Sequence, residues 1–428
     1  MHRIFPPPLS RLASPAGVRL GLILLSLATA TASGTAVAPL WRFDSGLQFR
    51  AGVDTNPDGT SGTSAAVLGA ASTATYAAGL NLGLTLAAAT PDRSALKFVY
   101  AGEAVRFDRW SGEDFATHRL SFTGRFATGR WKFSGEGSTL FVAGPDETLR
   151  SVPSVNANAI ALWRERRRQW QHRLKLQAQA DLGLWVVRGT GTLLAYDYLT
   201  AVKAGQVALA NRSDLQGALD LGWKQNPGSL WLAGVRAGHQ QQAAIALPNC
   251  GYDYSNDYTR LAAGWEGKPC ANTTVTFAAG PDFRHYTGTI DRTVFLGGRD
   301  RTSLWVEGAF LAKLSPVLTL TGKVVRMDWL SSTGKSAYLD TCGDTALAWT
   351  PDPAWTVRLT ARLHRCDYFP LVRDDWESLA GAGAGWKLSP RTEVTLDVLR
   401  HRGWNNLAAY SEREFHRVVV SLGAVTRF

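Results

Sequence analysis

Among the ionisable residues of this 428-residue chain, His364 with Asp340 and Asp344 is the arrangement that most resembles acid–base machinery. An imidazole within reach of a carboxylate can exchange protons near neutral pH. The three meet only if the segments on either side of the Pro351-Asp352-Pro353 turn pair as a hairpin. The plainer role for such a histidine is a hydrogen-bonded spacer, and no nucleophile accompanies it. The chain has no G-x-S-x-G, and Thr333-Gly334-Lys335-Ser336 lacks the leading glycine of a phosphate-binding loop. The expectation is a protein that is not an enzyme and has no catalytic residue and no cofactor.

Cys342 and Cys366 flank the same turn and fall on one face of the hairpin, roughly level, so a disulfide is expected between them in an oxidising compartment. Cys250 and Cys270 read as lying at opposite ends of a strand. No C-x-x-C is present, and no metal site is expected. Asp54-Thr55-Asn56-Pro57-Asp58-Gly59 has the opening of a calcium loop, but the closing position, residue 65, is Ala where a bidentate Glu is needed. An Asp-Gly surface turn accounts for it more simply.

The remaining charges occur at every second residue. Arg42, Arg50, Arg119, Arg125, Lys132, Arg173, Lys175, Arg358, Arg362 and Arg417 alternate with apolar neighbours, interleaved with Asp44, Glu136, Asp181, Asp340, Asp344, Glu377 and Asp397. Rings of such side chains set selectivity in a pore; in a filled lumen they simply pair. The formal charge is +11, or +8 without the three arginines of the first 38 residues. Because the basic residues are spread along alternating segments and not gathered on one patch, no nucleic-acid partner is expected.

The elements that must position these rows are strands. Leu174, Leu176, Ala178, Ala180, Leu182 and Leu184 face away from Arg173, Lys175, Gln177, Gln179 and Asp181, a period of two. Such runs reach 11–15 residues. A soluble sandwich uses strands of about 5–6 residues, whereas a tilted membrane-spanning strand needs about 9–11. No segment after the first 38 residues has 18 uninterrupted apolar residues, so helices are excluded as spans and a closed barrel is the remaining way to satisfy the backbone in lipid.

Short turn-rich links fall at 90–93, 127–130, 165–168, 226–228, 267–271, 315–316, 351–353 and 389–391. Between them lie mostly longer polar links at 54–63, 108–114, 144–153, 187–198, 243–256, 287–300, 331–335, 369–375 and 405–413. Short periplasmic turns alternating with longer extracellular loops are the layout of an outer-membrane barrel. The expected fold is all-β: a transmembrane antiparallel up-and-down β-barrel of 18 strands, with 16 as the alternative because 198–225 reads as one long strand or as two turning at Asn211–Asp214. Such a barrel is wide enough for an aqueous channel. A loop folded inward could narrow it, and 187–198, 243–256 and 287–300 are long enough.

Both ends of the chain agree. Arg3, Arg11 and Arg19, the apolar run from Val18 to Ala28 and the small residues Ala30, Ala32, Ala36 and Ala38 have the order of a secretory signal, cut within 30–38. Residues 1–38 are thus expected to be a signal peptide and 39–428 the barrel. The last strand ends in Phe428 and resembles the C-terminal signal of bacterial outer-membrane proteins, read by the barrel-assembly machinery; it departs from that pattern at Thr426. The strand ending Gly52-Val53-Asp54-Thr55-Asn56 resembles the start of porin-like barrel families associated with envelope and exopolysaccharide systems. The resemblance implies an outer-membrane location, contact with lipid and lipopolysaccharide, and a channel or exporter for polar, anionic solutes or polysaccharide. The other readings are a closed structural or surface-recognition barrel and, more remotely, an outer-membrane enzyme.

Overall fold

The computed structural model describes residues 40–56, 72–87, 94–109, 111–145, 166–200, 209–243, 253–290, 298–332, 336–369, 373–406 and 414–428. The expected signal peptide and Cys250 lie outside them.

The strands are β1 (Leu40–Asp54), β2 (Thr73–Ala87), β3 (Ser94–Phe107), β4 (Phe115–Thr128), β5 (Trp131–Ala143) and β6 (Gln169–Leu182). They continue with β7 (Trp185–Tyr198), β8 (Arg212–Asn226), β9 (Ser229–Gln242), β10 (Asn256–Cys270), β11 (Thr273–Tyr286) and β12 (Asp300–Ser315). The rest are β13 (Leu318–Leu330), β14 (Ala337–Asp352), β15 (Trp355–Phe369), β16 (Arg373–Lys387), β17 (Thr392–Asn405) and β18 (Phe415–Arg427). Each pairs antiparallel with its chain neighbours, and β18 pairs with β1, so the 18-stranded sheet closes and has no edge. The expected count of 18 is met.

Two links of the expected map are misplaced, in compensating directions. The third short turn is Gly183–Leu184, joining Leu182 to its register partner Trp185, and not 165–168. Residues 187–198, expected as a loop, belong to β7, and the following link runs 199–211. The turn is hidden because Leu182 and Leu184 keep the outward parity going through it; Gly183 makes the reversal with φ +74°, a conformation that costs glycine little. The 16-strand alternative falls with this assignment, since 198–225 contains one strand only, β8.

The outer face is apolar. Trp41, Phe43, Leu47, Phe49 and Val53 of β1 are all largely exposed, as are Leu215, Leu219 and Leu221 of β8. Tryptophans gather at two heights. Trp185, Trp223, Trp231 and Trp265 are successive register partners across β7–β10 at the short-turn end, and Trp355 stacks on Trp386 at 5.5 Å between centroids. At the other end of β16, Trp376 stacks on Trp404 at 5.9 Å. The ten residue steps from Trp376 to Trp386 cover about 34 Å of strand, or about 26 Å of height at a tilt near 40°. That matches the apolar band of an outer-membrane barrel flanked by its aromatic girdles.

The closing seam is fastened on the inner side. Arg417 of β18 donates from Nε and Nη2 to Asp54 of β1, at 2.9 and 2.6 Å, and Asp54 is fully buried. Its carboxylate is thereby committed to the seam, which is the role the calcium-like Asp54–Gly59 stretch has here; residues 57–59 lie outside the described residues. Asp54→Ala would strand a largely buried guanidinium, a loss worth about 3 kcal/mol. A fall in the urea midpoint of the micelle-refolded barrel is therefore expected, and an unchanged midpoint would contradict the seam's role.

Candidate functional site

Strand parity, fixed by the exposed apolar rows and carried round by register, gives the inner face residue by residue. All thirteen expected lumen residues stand on it: Arg42, Arg50, Arg119, Arg125, Lys132, Arg173, Lys175, Asp340, Asp344, Arg358, Arg362, His364 and Arg417. Of these, Arg42, Arg50, Arg119, Arg125, Lys132, Arg173, Lys175, Arg358 and Arg362 point inward and are still solvent-exposed. Beside β1, β4–β6 and β15 the side chains of the described residues therefore do not fill the barrel.

Charge is uneven around this wall. On β14–β18 and β1 the cations are mostly paired: Arg42 with Asp44, Arg362 with Asp344, Arg358 with Asp397, Arg417 with Asp54, and Arg50 with Glu103 across β2. The inner rows of β4–β6 hold Arg119, Arg125, Lys132, Arg173 and Lys175 against only Glu136 and Asp181. Asp181 is shared by Lys132 and Lys224. Among the described residues no ion pair engages Arg119, Arg173 or Lys175, and the nearest carboxylate to Lys175 in register is Glu136. This arc is a net positive stretch of wall open to solvent.

The opposite side of the lumen is occupied, by an element that was not foreseen. The β12–β13 ladder runs only from Ser315/Leu318 to Val306/Arg326, although β12 begins at Asp300 and β13 continues to Leu330. Beyond Arg326 the β13–β14 hairpin leaves its neighbour and turns inward. Arg212 of β8 donates from Nη1 to the Leu330 carbonyl, Gln242 of β9 donates from Nε2 to the Ser331 carbonyl at 2.6 Å, and the Ala210 amide donates to the Ser332 carbonyl at 2.6 Å. β8 and β13 are five strands apart, roughly 24 Å along the wall, so the tip reaches them across the lumen.

A buried ionic knot holds it there. Arg284 of β11 donates from Nη2 to Asp282 Oδ2 at 2.9 Å and from Nη1 to Gln240 Oε1 at 2.7 Å. Arg260 Nε donates to the same Asp282 oxygen at 2.9 Å. On the hairpin, Asp328 lies 3.5 Å from both Arg284 and Arg301 and accepts from Ser303 Oγ at 2.6 Å. Asp282, Arg284 and Asp328 have side chains at most 1% exposed. Alongside, Leu330 and Ala337 pack with Tyr254, Tyr286 and Ile290, and Phe369 packs against the group. By parity Asp328, Leu330 and Ala337 belong to the outward row; they are buried because the hairpin's inward lean turns its outer face onto the inner wall of β8–β12.

Of the three loops expected to narrow the lumen, 187–198 is strand. The described parts of the other two, 253–255 and 287–290, contribute Tyr254 and Ile290 to this cluster. The crossing itself is made by the described ends of the β13–β14 hairpin, Leu330–Ser332 and Ser336–Ala337, at the link 331–335 that the sequence places among the mostly longer polar ones.

The expected acid–base cluster forms in altered membership. His364 Nε2 lies 2.7 Å from Asp340 Oδ1, but Asp344 is turned to Arg362; Glu377 Oε2 sits 3.2 Å from His364 Nδ1, and His401 contacts the other Glu377 oxygen. The expected Cys342–Cys366 disulfide is absent, and both are free thiols. In register Cys342 faces His364 and Cys366 faces Asp340, so the two cysteines are diagonal. Diagonal positions stand roughly 7–8 Å apart, whereas a disulfide brings its Cβ atoms to about 4 Å. Phe428 is exposed at the short-turn rim, its amide donating to the Ser45 carbonyl at 2.9 Å.

No family model matches the chain, and no curated protein does. Among solved structures it is similar to a BenF-like porin from Pseudomonas fluorescens Pf-5 (10% identity, 91% of this chain and 99% of that one, TM-score 0.44). It is similar also to Pseudomonas aeruginosa OpdK with vanillate (10%, 90% and 99%, TM-score 0.42) and to the siderophore receptor PirA of the same organism (10%, 92% and 81%, TM-score 0.41). Likeness at that level does not address cargo. What the chain is follows from its own wall: an 18-stranded, girdled, closed β-barrel of the bacterial outer membrane.

Proposed function

We propose that this barrel is a porin-like channel for small anionic solutes, narrowed on one side by the β13–β14 hairpin. One observation supports it above the others: inward-pointing arginines and lysines on β1, β4–β6 and β15 are exposed to solvent inside the barrel. A wall whose charged side chains remain exposed on its inner face needs a water-filled path beside them. The positive arc of Arg119, Arg125, Lys132, Arg173 and Lys175 favours anions along that path. With the hairpin taking up the other side, a small solute fits better than a polymer, so the polysaccharide reading is the weaker. Phe428 at the rim suits the assembly machinery's mark, and the apolar belt suits outer-membrane lipid and lipopolysaccharide.

Planar bilayers test the reading. Refolded protein in a salt gradient is expected to conduct, with a reversal potential of the sign given by chloride preference. A reversal potential of the opposite sign would overturn the anion assignment. Absence of current above lipid background would favour the second reading, a closed barrel without transport, for which the docked hairpin is the supporting observation.

A further inference from the structure

The described inner wall holds one cluster that the channel reading does not use. Asp340 of β14 and His364 and Cys366 of β15 present a carboxylate oxygen, an imidazole nitrogen and a sulfur that all lie within 4.8 Å of one another. We propose that these three residues form a binding site for a divalent transition-metal cation of the zinc class, at the base of the inward hairpin. It stands whether or not the barrel conducts.

Three features point to a cation. First, Asp340 Oδ1 and Glu377 Oε2 face the two ring nitrogens of His364, at 2.7 and 3.2 Å. Carboxylates accept and do not donate, so something positive, a proton or a metal ion, must sit between His364 Nε2 and Asp340. Second, the Nδ1 contact to Glu377 is the carboxylate–histidine arrangement that fixes a ligating imidazole and strengthens it as a donor. Glu377 is itself held by His401. Third, the spacing fits. Tetrahedral zinc with Zn–N near 2.0 Å and Zn–S near 2.3 Å puts the ligand atoms about 3.5 Å apart. His364 Nε2 and Cys366 Sγ are 3.4 Å apart, and the Asp340 oxygen, 2.7 Å from Nε2, lies within 4.8 Å of the sulfur.

The donor set selects the ion. One thiolate, one imidazole and one carboxylate suit zinc, cobalt or nickel, and exclude calcium and magnesium, which take oxygen ligands. Three protein ligands leave the fourth position for water or an anion from the lumen. Binding releases to solvent the Cys366 thiol proton and the proton held between His364 Nε2 and Asp340, and forms metal–sulfur and metal–nitrogen bonds with no change of oxidation state. The side chains of His364 and Asp340 are 25% and 22% exposed, so the ion has access from the lumen. No local motif marks these ligands in the sequence, because strand register gathers them.

The test uses the full barrel in detergent micelles, stripped of metal, kept reduced and titrated with Co2+ alone. One equivalent is expected to give a thiolate-to-cobalt charge-transfer band, displaced by Zn2+. Cys366→Ser should abolish the band, while Cys342→Ser and the double variant Cys250→Ser/Cys270→Ser should keep it. Glu377→Gln, which leaves all three ligands in place, should weaken affinity about 10–100-fold. Folding of each variant is checked by its heat-modifiable gel mobility. Absence of the band from the wild-type barrel, its persistence in Cys366→Ser, or its loss only in the Cys250/Cys270 variant would overturn the proposal.

Discussion

Replacing residues 328–339 by an Asn-Gly turn raises single-channel conductance severalfold. Met327 and Asp340 are register partners, so a two-residue turn closes the shortened hairpin near the height at which β13 parts from β12. The deletion removes the two strand ends that cross to β8 and β9, a ribbon taking up about 10 Å of the lumen's width. A milder change in the same sense is Asp328→Ala. It takes the hairpin's carboxylate out of the Arg284–Arg301 knot, leaving buried Arg284 to Asp282 alone and Arg301 with no ion-pair partner among the described residues, at a cost of about 3–5 kcal/mol. That exceeds what the carbonyl contacts at Leu330, Ser331 and Ser332 return at about 1 kcal/mol each. Frequent transitions to the larger conductance level are then expected in bilayer recordings. A conductance unchanged by the deletion would show that the hairpin is not the constriction.

The second large effect is on selectivity. Arg119, Arg173 and Lys175 are exposed inner cations with no ion-pair partner among the described residues, so changing all three to Glu moves the local charge by six units while breaking no ion pair. Reversal potentials in a potassium chloride gradient are expected to change sign, from chloride-preferring to potassium-preferring. The same triple change made at Arg358, Arg362 and Arg417 moves the charge by the same six units but also breaks the pairs with Asp397, Asp344 and Asp54, so a loss of stability is expected there that the β4–β6 set avoids. Equal losses of stability from the two sets, or a reversal potential of unchanged sign in the β4–β6 variant, would contradict this assignment.

How much of this was legible follows from what a sequence of period two can encode. The barrel, its strand number and its inner rows are consequences of alternation and turn chemistry, both local, and they were readable. The turn at Gly183–Leu184 was not, because Leu182, Leu184 and Trp185 carry no proline or asparagine to break the pattern. The inward hairpin was invisible for a related reason. Asp328, Leu330 and Ala337 alternate like any wall segment, and only contacts with β8–β11, 40 to 120 residues away, show that their outer face is buried. One local hint existed: Asp328 is an acid on a row that should face lipid. The His364 cluster was half readable. Asp340 was found because the hairpin turn sets its register, whereas the roles of Glu377 and His401 depend on strands farther along, and the diagonal offset of Cys342 and Cys366 turns on a register difference of two residues.

The central claim is that the β13–β14 tip lies across the lumen against β9. Gln242→Cys with Ser331→Cys, in a chain whose four native cysteines are Ser, tests it in intact outer membranes. The side chain of Gln242 reaches the Ser331 carbonyl at 2.6 Å, so a short bifunctional methanethiosulfonate reagent is predicted to bridge the two cysteines, read as a mobility shift reversed by reductant. If the hairpin instead continued the wall upright, the two strands would stand about 19 Å apart, no crosslink would form, and the account would be contradicted.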